Sequence, residues 1–282
     1  MSDERREACR PHVRGLQRFG AAVALVALSA CGGGGPTAPP PPTPPPTPAA
    51  TITGVGAGAL VIHPSLDARF GFALATPIRV TETMLADGTP AFMSDGAPSD
   101  CVALPLLGFL EKVDLVVSGI NPFSNIGHDV TYSGTVTAAM EAVIAGVPGI
   151  AFSLASQDKP ANVPADYGPA GQVAGLIAKK VLEEGLTEGI VLNVNIPYLS
   201  VETMKGMMVT RQGLRVYRDA LDRRVDPRGR PYYWIGGEAP TGVNEEGTDV
   251  GALFAGYVSI TPLQLDLTNY KAVEVLKNWE WQ

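Results

Sequence analysis

Histidine and cysteine are nearly absent from the chain, with three of each in 282 residues. His12, His63 and His128 stand far apart, so a His-rich metal site has no support. Cys9, Cys31 and Cys101 form no paired cluster, which excludes a Cys-type structural zinc site. Charged residues make up only 17%, the formal net charge is −7, and no basic stripe is present. That excludes a nucleic-acid duplex gripped by a charged surface. No continuous apolar run reaches the about 20 residues needed to cross a bilayer as a helix. Two adjacent aspartates occur nowhere in the chain.

What is present divides into three parts. Residues 1–30 begin with five arginines (Arg5, Arg6, Arg10, Arg14, Arg18) against three acids (Asp3, Glu4, Glu7). The apolar run Ala21 to Leu28 follows, and the small residues Ser29 and Ala30 precede Cys31. This is the pattern of a signal peptide. Its ending, Leu28-Ser29-Ala30-Cys31, resembles a bacterial lipoprotein lipobox. That resemblance implies lipidation of Cys31 and an exported, membrane-anchored protein on the periplasmic or cell-surface side. Loss of residues 1–30 would leave Cys31 for lipid and Cys101 alone, with no intramolecular disulfide. Residues 31–50 follow as a spacer, "CGGGGPTAPPPPTPPPTPAA". Its proline runs favour an extended chain at about 3.1 Å per residue and build no core.

From residue 51 to 282 the pattern is α/β. Leu115 to Ser118, Gly149 to Leu154 and Gly189 to Pro197 are short apolar runs, as in strands covered on both faces. Helical segments separate them, Gly134 to Ala145 and Ala170 to Leu182. Strand, helix, strand in that order implies right-handed crossovers and a parallel sheet. After Tyr198 the segments "GMMVTRQGLRVY", "RPYYWIGG" and "GYVSITPL" read as antiparallel strands, with a polar arm over 218–230. Tyr232, Tyr233 and Trp234 are expected to pack on the core or to form a subunit contact. The spacing of Val273, Leu276 and Trp279 predicts a C-terminal helix.

The segment between the first two of these strands carries chemistry: "SGINPFSNIGHDVTYSGTVTAA", Ser118 to Ala139. In a parallel sheet, ligands bind in the loops at the carboxyl ends of strands. Asn121 lies just past such an end and offers a neutral oxygen that a hard cation accepts. Ser133, Gly134 and Thr135 open the next helix, where unpaired N–H groups and the helix dipole favour phosphate. The same Ser-Gly-Thr step also reads as a plain helix cap, and Asn and Gly are common turn residues.

The wording of the stretch adds to its spacing. "DLVVSGINPFSNIGHDVTYSGTVTAAMEA" resembles the signature of the SurE family of metal-dependent nucleotidases and acid phosphatases. The resemblance continues through "GAPSDCVALPL", "GVPGIAFSL", "LNVNIP", "TRQG" and "GTDVGALFAGYVSITPLQLDLT". It implies a Rossmann-like, mostly parallel sheet with helices on both faces, a protruding β-hairpin arm and C-terminal elements exchanged between subunits of a homodimer or tetramer. It implies hydrolysis of nucleoside 5′- and 3′-monophosphates with a divalent cation, manganese or magnesium. The family's metal-binding asparagine maps onto Asn121. Its metal-binding serine precedes a glycine, and Thr53-Gly54 is the nearest match here. Its adjacent aspartates have no counterpart, so the first βαβ stretch of the fold is expected to be absent. Asp129 shares the loop with Asn121, and the family tends to carry Asp there, which implies a loop-ordering role. Asp95 and Asp100 flank a turn, with Asp100 read as a cap. Two functions stay open: a phosphomonoester hydrolase, or a phosphate-binding lipoprotein or truncated remnant without turnover.

Overall fold

A computed structural model describes residues 23–26, 59–64, 77–85, 87–160, 163–237 and 241–281. Its centre is a nine-stranded, mostly parallel sheet. The first strands are β1 (Val23–Val26), β2 (Ala59–Pro64), β3 (Val80–Met84), β4 (Pro90–Ser94) and β5 (Leu115–Asn121). Then come β6 (Gly149–Leu154), β7 (Ile190–Ile196), β8 (Met207–Val209) and β13 (Val258–Gln264). The spatial order is β3-β4-β2-β1-β5-β6-β7-β13-β8. Pairing is parallel from β4 through β2, β1, β5 and β6 to β7, while β3 and β13 run antiparallel to β4 and β7.

Alternation along β5 shows why both faces are covered. Leu115 and Val117 join Ile150, Phe152 and Val194 against Val173, Ala174 and Ile177 of α3 (Gly168–Glu184). Val116 between them points the other way, to Cys101 and Val102 of α1 (Pro98–Leu104) and Ala138 and Ala142 of α2 (Gly134–Ile144). A strand with layers on both sides must be apolar at every position, and this one is.

β1 comes from the apolar run that the sequence reads as the core of a signal peptide. It pairs in parallel with β2 on one edge and with β5 on the other. The strand place that the sequence leaves empty beside β5 is therefore filled from this run. The residues that follow β1 are Ala27, Leu28, Ser29 and Ala30, none with a carboxylate.

Beyond the core the arm is a two-stranded antiparallel hairpin, β10 (Asp219–Val225) and β11 (Pro231–Gly237). The polar segment expected as an arm between strands is itself strand β10. Tyr232, Tyr233 and Trp234 do not pack on the core. They are 41%, 52% and 52% exposed on the hairpin. Below the arm, β9 (Arg215–Val216) pairs with β12 (Thr241–Gly242). Met207–Val209 differs from the sequence expectation, since β8 pairs with β13 in parallel. The chain ends with α4 (Asp249–Phe254), β13 and α5 (Tyr270–Leu276). No helix among the described residues is long and apolar enough to cross a membrane.

Candidate phosphate-binding site

Asn121 is the last residue of β5, at the carboxyl edge of the parallel strands, and its register partner is Ser153 of β6. The strand reaches this point through a tight approach. Gly119 has φ +124°, and a Cβ there would come 2.3 Å from the Phe152 carbonyl oxygen. Only glycine fits, because a side chain would meet both the left-handed backbone and the neighbouring strand. The Asn121 amide Nδ2 donates to the Phe123 carbonyl, which turns its Oδ1 into the atom left for a ligand.

Between Asn121 and α2 the chain is held at several points. The hydroxyl of Ser156 donates to the Pro122 carbonyl, and Gln157 Nε2 donates to Ser124 Oγ at 3.1 Å. Asn125 is the main anchor. Its N–H donates to Asn195 Oδ1 at 2.7 Å and its Nδ2 to Ser153 Oγ at 2.7 Å. Its carbonyl accepts from Asn193 Nδ2 at 2.8 Å and Asn195 Nδ2 at 3.0 Å. Asn193 and Asn195 are both fully buried on one face of β7. Asp129 forms an ion pair with Arg215 (Nε to Oδ2, 3.0 Å) and accepts from the Tyr217 hydroxyl. Burial still holds its carboxyl above the usual range, against the lowering pull of Arg215. The structure thus gives Asp129 a loop-fixing place.

α2 begins as the cap reading expects. Ser133 is the N-cap, and its Oγ accepts from the Val136 N–H at 3.2 Å. The first intrahelical bond is donated by Thr137 to the Ser133 carbonyl. Helix geometry therefore leaves the N–H groups of Gly134 and Thr135 without intrahelical acceptors. Ser133 and Thr135 are buried, and a Cβ at Gly134 would come 3.1 Å from Pro98 of α1. Asn121 and the Ser133-Gly134-Thr135 step lie at the two ends of one loop. Asp100 accepts from the Ala97 N–H at 2.8 Å, as a cap does. Asp95 accepts from the Arg79 N–H at 2.7 Å and belongs to the turn. Thr53 and Cys31 lie outside the described residues.

A divalent cation of the manganese or magnesium kind needs several hard oxygens, carboxylates foremost. Among the described residues no group of three or more His, Cys, Asp or Glu is placed to hold a metal ion. The loop's own carboxylate, Asp129, is occupied by Arg215 and Tyr217. Asn121 alone supplies one neutral oxygen. The described residues do not fit a divalent cation, and no chemical step follows through one.

A family profile described as "Survival protein SurE" matches residues 56–219. The chain belongs to the SurE family. A "5'-nucleotidase SurE" of Chloroflexus aggregans is 50% identical over 210 residues, covering 74% of this chain and 82% of that protein. One of the same name from Herpetosiphon aurantiacus is 51% identical over 209 residues, covering 74% and 81%. The crystal structure of the SurE protein from Aquifex aeolicus superposes with a TM-score of 0.65 at 36% identity, covering 90% of this chain and 98% of that one. The SurE match begins after Thr53, which sets that residue outside the matched segment.

Several residues of the site escaped the sequence reading. Asn193 and Asn195 sit in "LNVNIP", where two amides at strand period on an apolar strand signal a buried polar contact. Asp249 follows the cap Thr248 in "GTDVGA" and looks there like an ordinary first-turn acid. Nothing local marks Arg215 as the partner of Asp129.

Proposed function

We propose that this SurE-family chain hydrolyses phosphomonoesters, with nucleoside 5′- and 3′-monophosphates as the substrate class. Ser133, Gly134 and Thr135 hold the phosphate and Asn121 faces it from the strand end. The observation that carries this reading is the start of α2: two N–H groups without intrahelical acceptors beside two buried hydroxyls, across the loop from Asn121. A dianion at such a helix start gains about 0.3–2 kcal/mol from the dipole, added to the individual hydrogen bonds. The names of the relatives supply the reaction class.

A second reading is binding without turnover. The specific observation behind it is the lack of an assembled carboxylate group among the described residues, together with Ala27 to Ala30 after β1. Phosphate release from nucleoside monophosphates and p-nitrophenyl phosphate, with manganese or magnesium added, separates the two. Release that disappears in Asn121→Ala, with or without dependence on the added cation, supports the hydrolase. Saturable binding of inorganic phosphate with no release supports the second reading.

The exposed aromatics of the arm, and Trp279 and Trp281 stacked at 5.5 Å near the C-terminus, support a homodimer or tetramer. Export with lipidation at Cys31 is a further proposal, carried by the basic start and the Leu-Ser-Ala-Cys ending. Cleavage before Cys31 would remove β1 from between β2 and β5, so one molecule cannot have both. The mass of the protein isolated from membranes decides. A diacylated species starting at Cys31 establishes the anchor, and an intact N-terminus refutes it.

A further inference from the structure

One buried carboxylate joins the site loop to the root of the arm. Asp249, at the start of α4, is 0% exposed. Its Oδ2 accepts from the Gly127 N–H in the site loop at 2.8 Å. Its Oδ1 accepts from the Gly213 N–H at 2.7 Å and from the Val250 N–H at 2.8 Å. Gly213 lies two residues before β9, where the chain sets out toward the arm. The two glycines also touch. Gly127 has φ +54°, and a Cβ there would come 2.8 Å from the Gly213 carbonyl oxygen. Next to them, Gln212 Nε2 donates to the Gly127 carbonyl at 2.9 Å. Loop and arm root therefore fit backbone to backbone, and one acceptor serves both.

We propose that Asp249 is a positioning residue that fixes the loop from Asn121 to Ser133 against the arm root. The chemistry explains why an acid is required. Three N–H groups converge on one side chain, and an ionised carboxylate is acceptor-only with room for all of them. It takes charge-assisted bonds, which are about twice as strong as neutral ones. Asparagine has the same shape but must turn an NH2 toward at least one of the three donors. The contact at Gly127 lies midway between Asn121 and Ser133, so slack there spreads to both ends of the site. That the site grips phosphate rests on the function proposed above, but the lock on the loop does not.

The test compares the full chain with Asp249→Asn and with Gln212→Ala by amide hydrogen exchange and by calorimetric binding of inorganic phosphate. In Asp249→Asn, exchange over residues 126–131 rises about 10- to 100-fold, as when a charge-assisted bond is replaced by facing donors. Strand β6 keeps its protection. Phosphate affinity drops about tenfold or more as the misplaced loop loses contacts to the anion. Gln212→Ala, an exposed substitution, loosens the same amides by a smaller factor. Unchanged loop exchange in a folded Asp249→Asn protein overturns the proposal. So does a rise of equal size in β6, which would mark a merely structural role. If Asp249→Asn does not fold, wild-type exchange at the Gly127 and Gly213 amides as fast as at exposed loop amides overturns it. Loop loosening in Asp249→Asn, beside a wild type that binds no inorganic phosphate, supports the lock and refutes the phosphate reading instead.

Discussion

Asn193 and Asn195 are the same residue type on the same strand, both fully buried, and both donate to the Asn125 carbonyl. Their removal has unequal consequences. Asn195→Ala takes away two partners of Asn125: the donor to its carbonyl and the acceptor of its N–H. The carbonyl keeps Asn193, but the N–H is left buried without an acceptor. An orphaned buried donor costs about 1–3 kcal/mol and the lost carbonyl bond about 0.5–1.5 kcal/mol, which gives about 1.5–4.5 kcal/mol. Asn193→Ala removes one donor to a carbonyl that keeps Asn195. It also removes Asn193 Oδ1, which is itself buried without a partner. The loss of about 0.5–1.5 kcal/mol is then offset by the relief of an unsatisfied atom. The packing lost on truncation is common to both variants and cancels in the comparison. Asn195→Ala is therefore expected to be less stable than Asn193→Ala by about 1–3 kcal/mol, a large share of a domain's about 5–15 kcal/mol. Equilibrium urea unfolding of wild type and both variants, fitted with a common slope, measures the difference. Equal midpoints for the two variants, or a lower one for Asn193→Ala, would refute the reasoning.

Four other outcomes rest on three residues. Ser133→Ala removes the cap on α2 and is expected to cost about 0.5–2 kcal/mol in urea unfolding, alongside weaker phosphate binding. Cys101 is fully buried and desolvation pushes its thiol up to about 11. Peptide mapping should show Cys101 unlabelled by maleimide in the native protein at neutral pH and labelled once urea unfolds it. A raised folded-state pKa gives stability present below the unfolded value of 9.0 and lost as pH climbs toward about 11, so Cys101→Ala should flatten the alkaline limb. Asp129 is also raised from 3.8, by burial first. Its contribution is fully present below that value and declines as pH rises through the raised one, so Asp129→Asn should reduce the loss of stability as pH climbs above 3.8. A steeper decline in the variant would show that the Arg215 pair outweighs burial.

The layered α/β core was legible in the sequence, and so was the loop proposed to bind phosphate. Apolar runs at 115–118, 149–154 and 189–197 with helical segments between them leave few arrangements, because strands apolar on both sides need helices on both faces. The Ser-Gly-Thr step reported a helix start, since capping depends on neighbours two and three residues away. Other features are invisible at that range. Asn125 meets residues 28 and 70 positions later, and Gly127 meets Asp249 122 positions later. Such contacts exist only once parallel strands bring their carboxyl ends to one edge, and no local pattern encodes them. The arm shows the same limit from the other side. Tyr232, Tyr233 and Trp234 signal packing on the core or on another subunit, and the hairpin carries them away from the core, because among the described residues β10 and β11 pair only with each other. The use of Val23–Val26 was also a tertiary decision. An apolar run of this length suits a leader and a sheet strand equally, and only the folded sheet, with β2 and β5 on either side, offers it a strand's place.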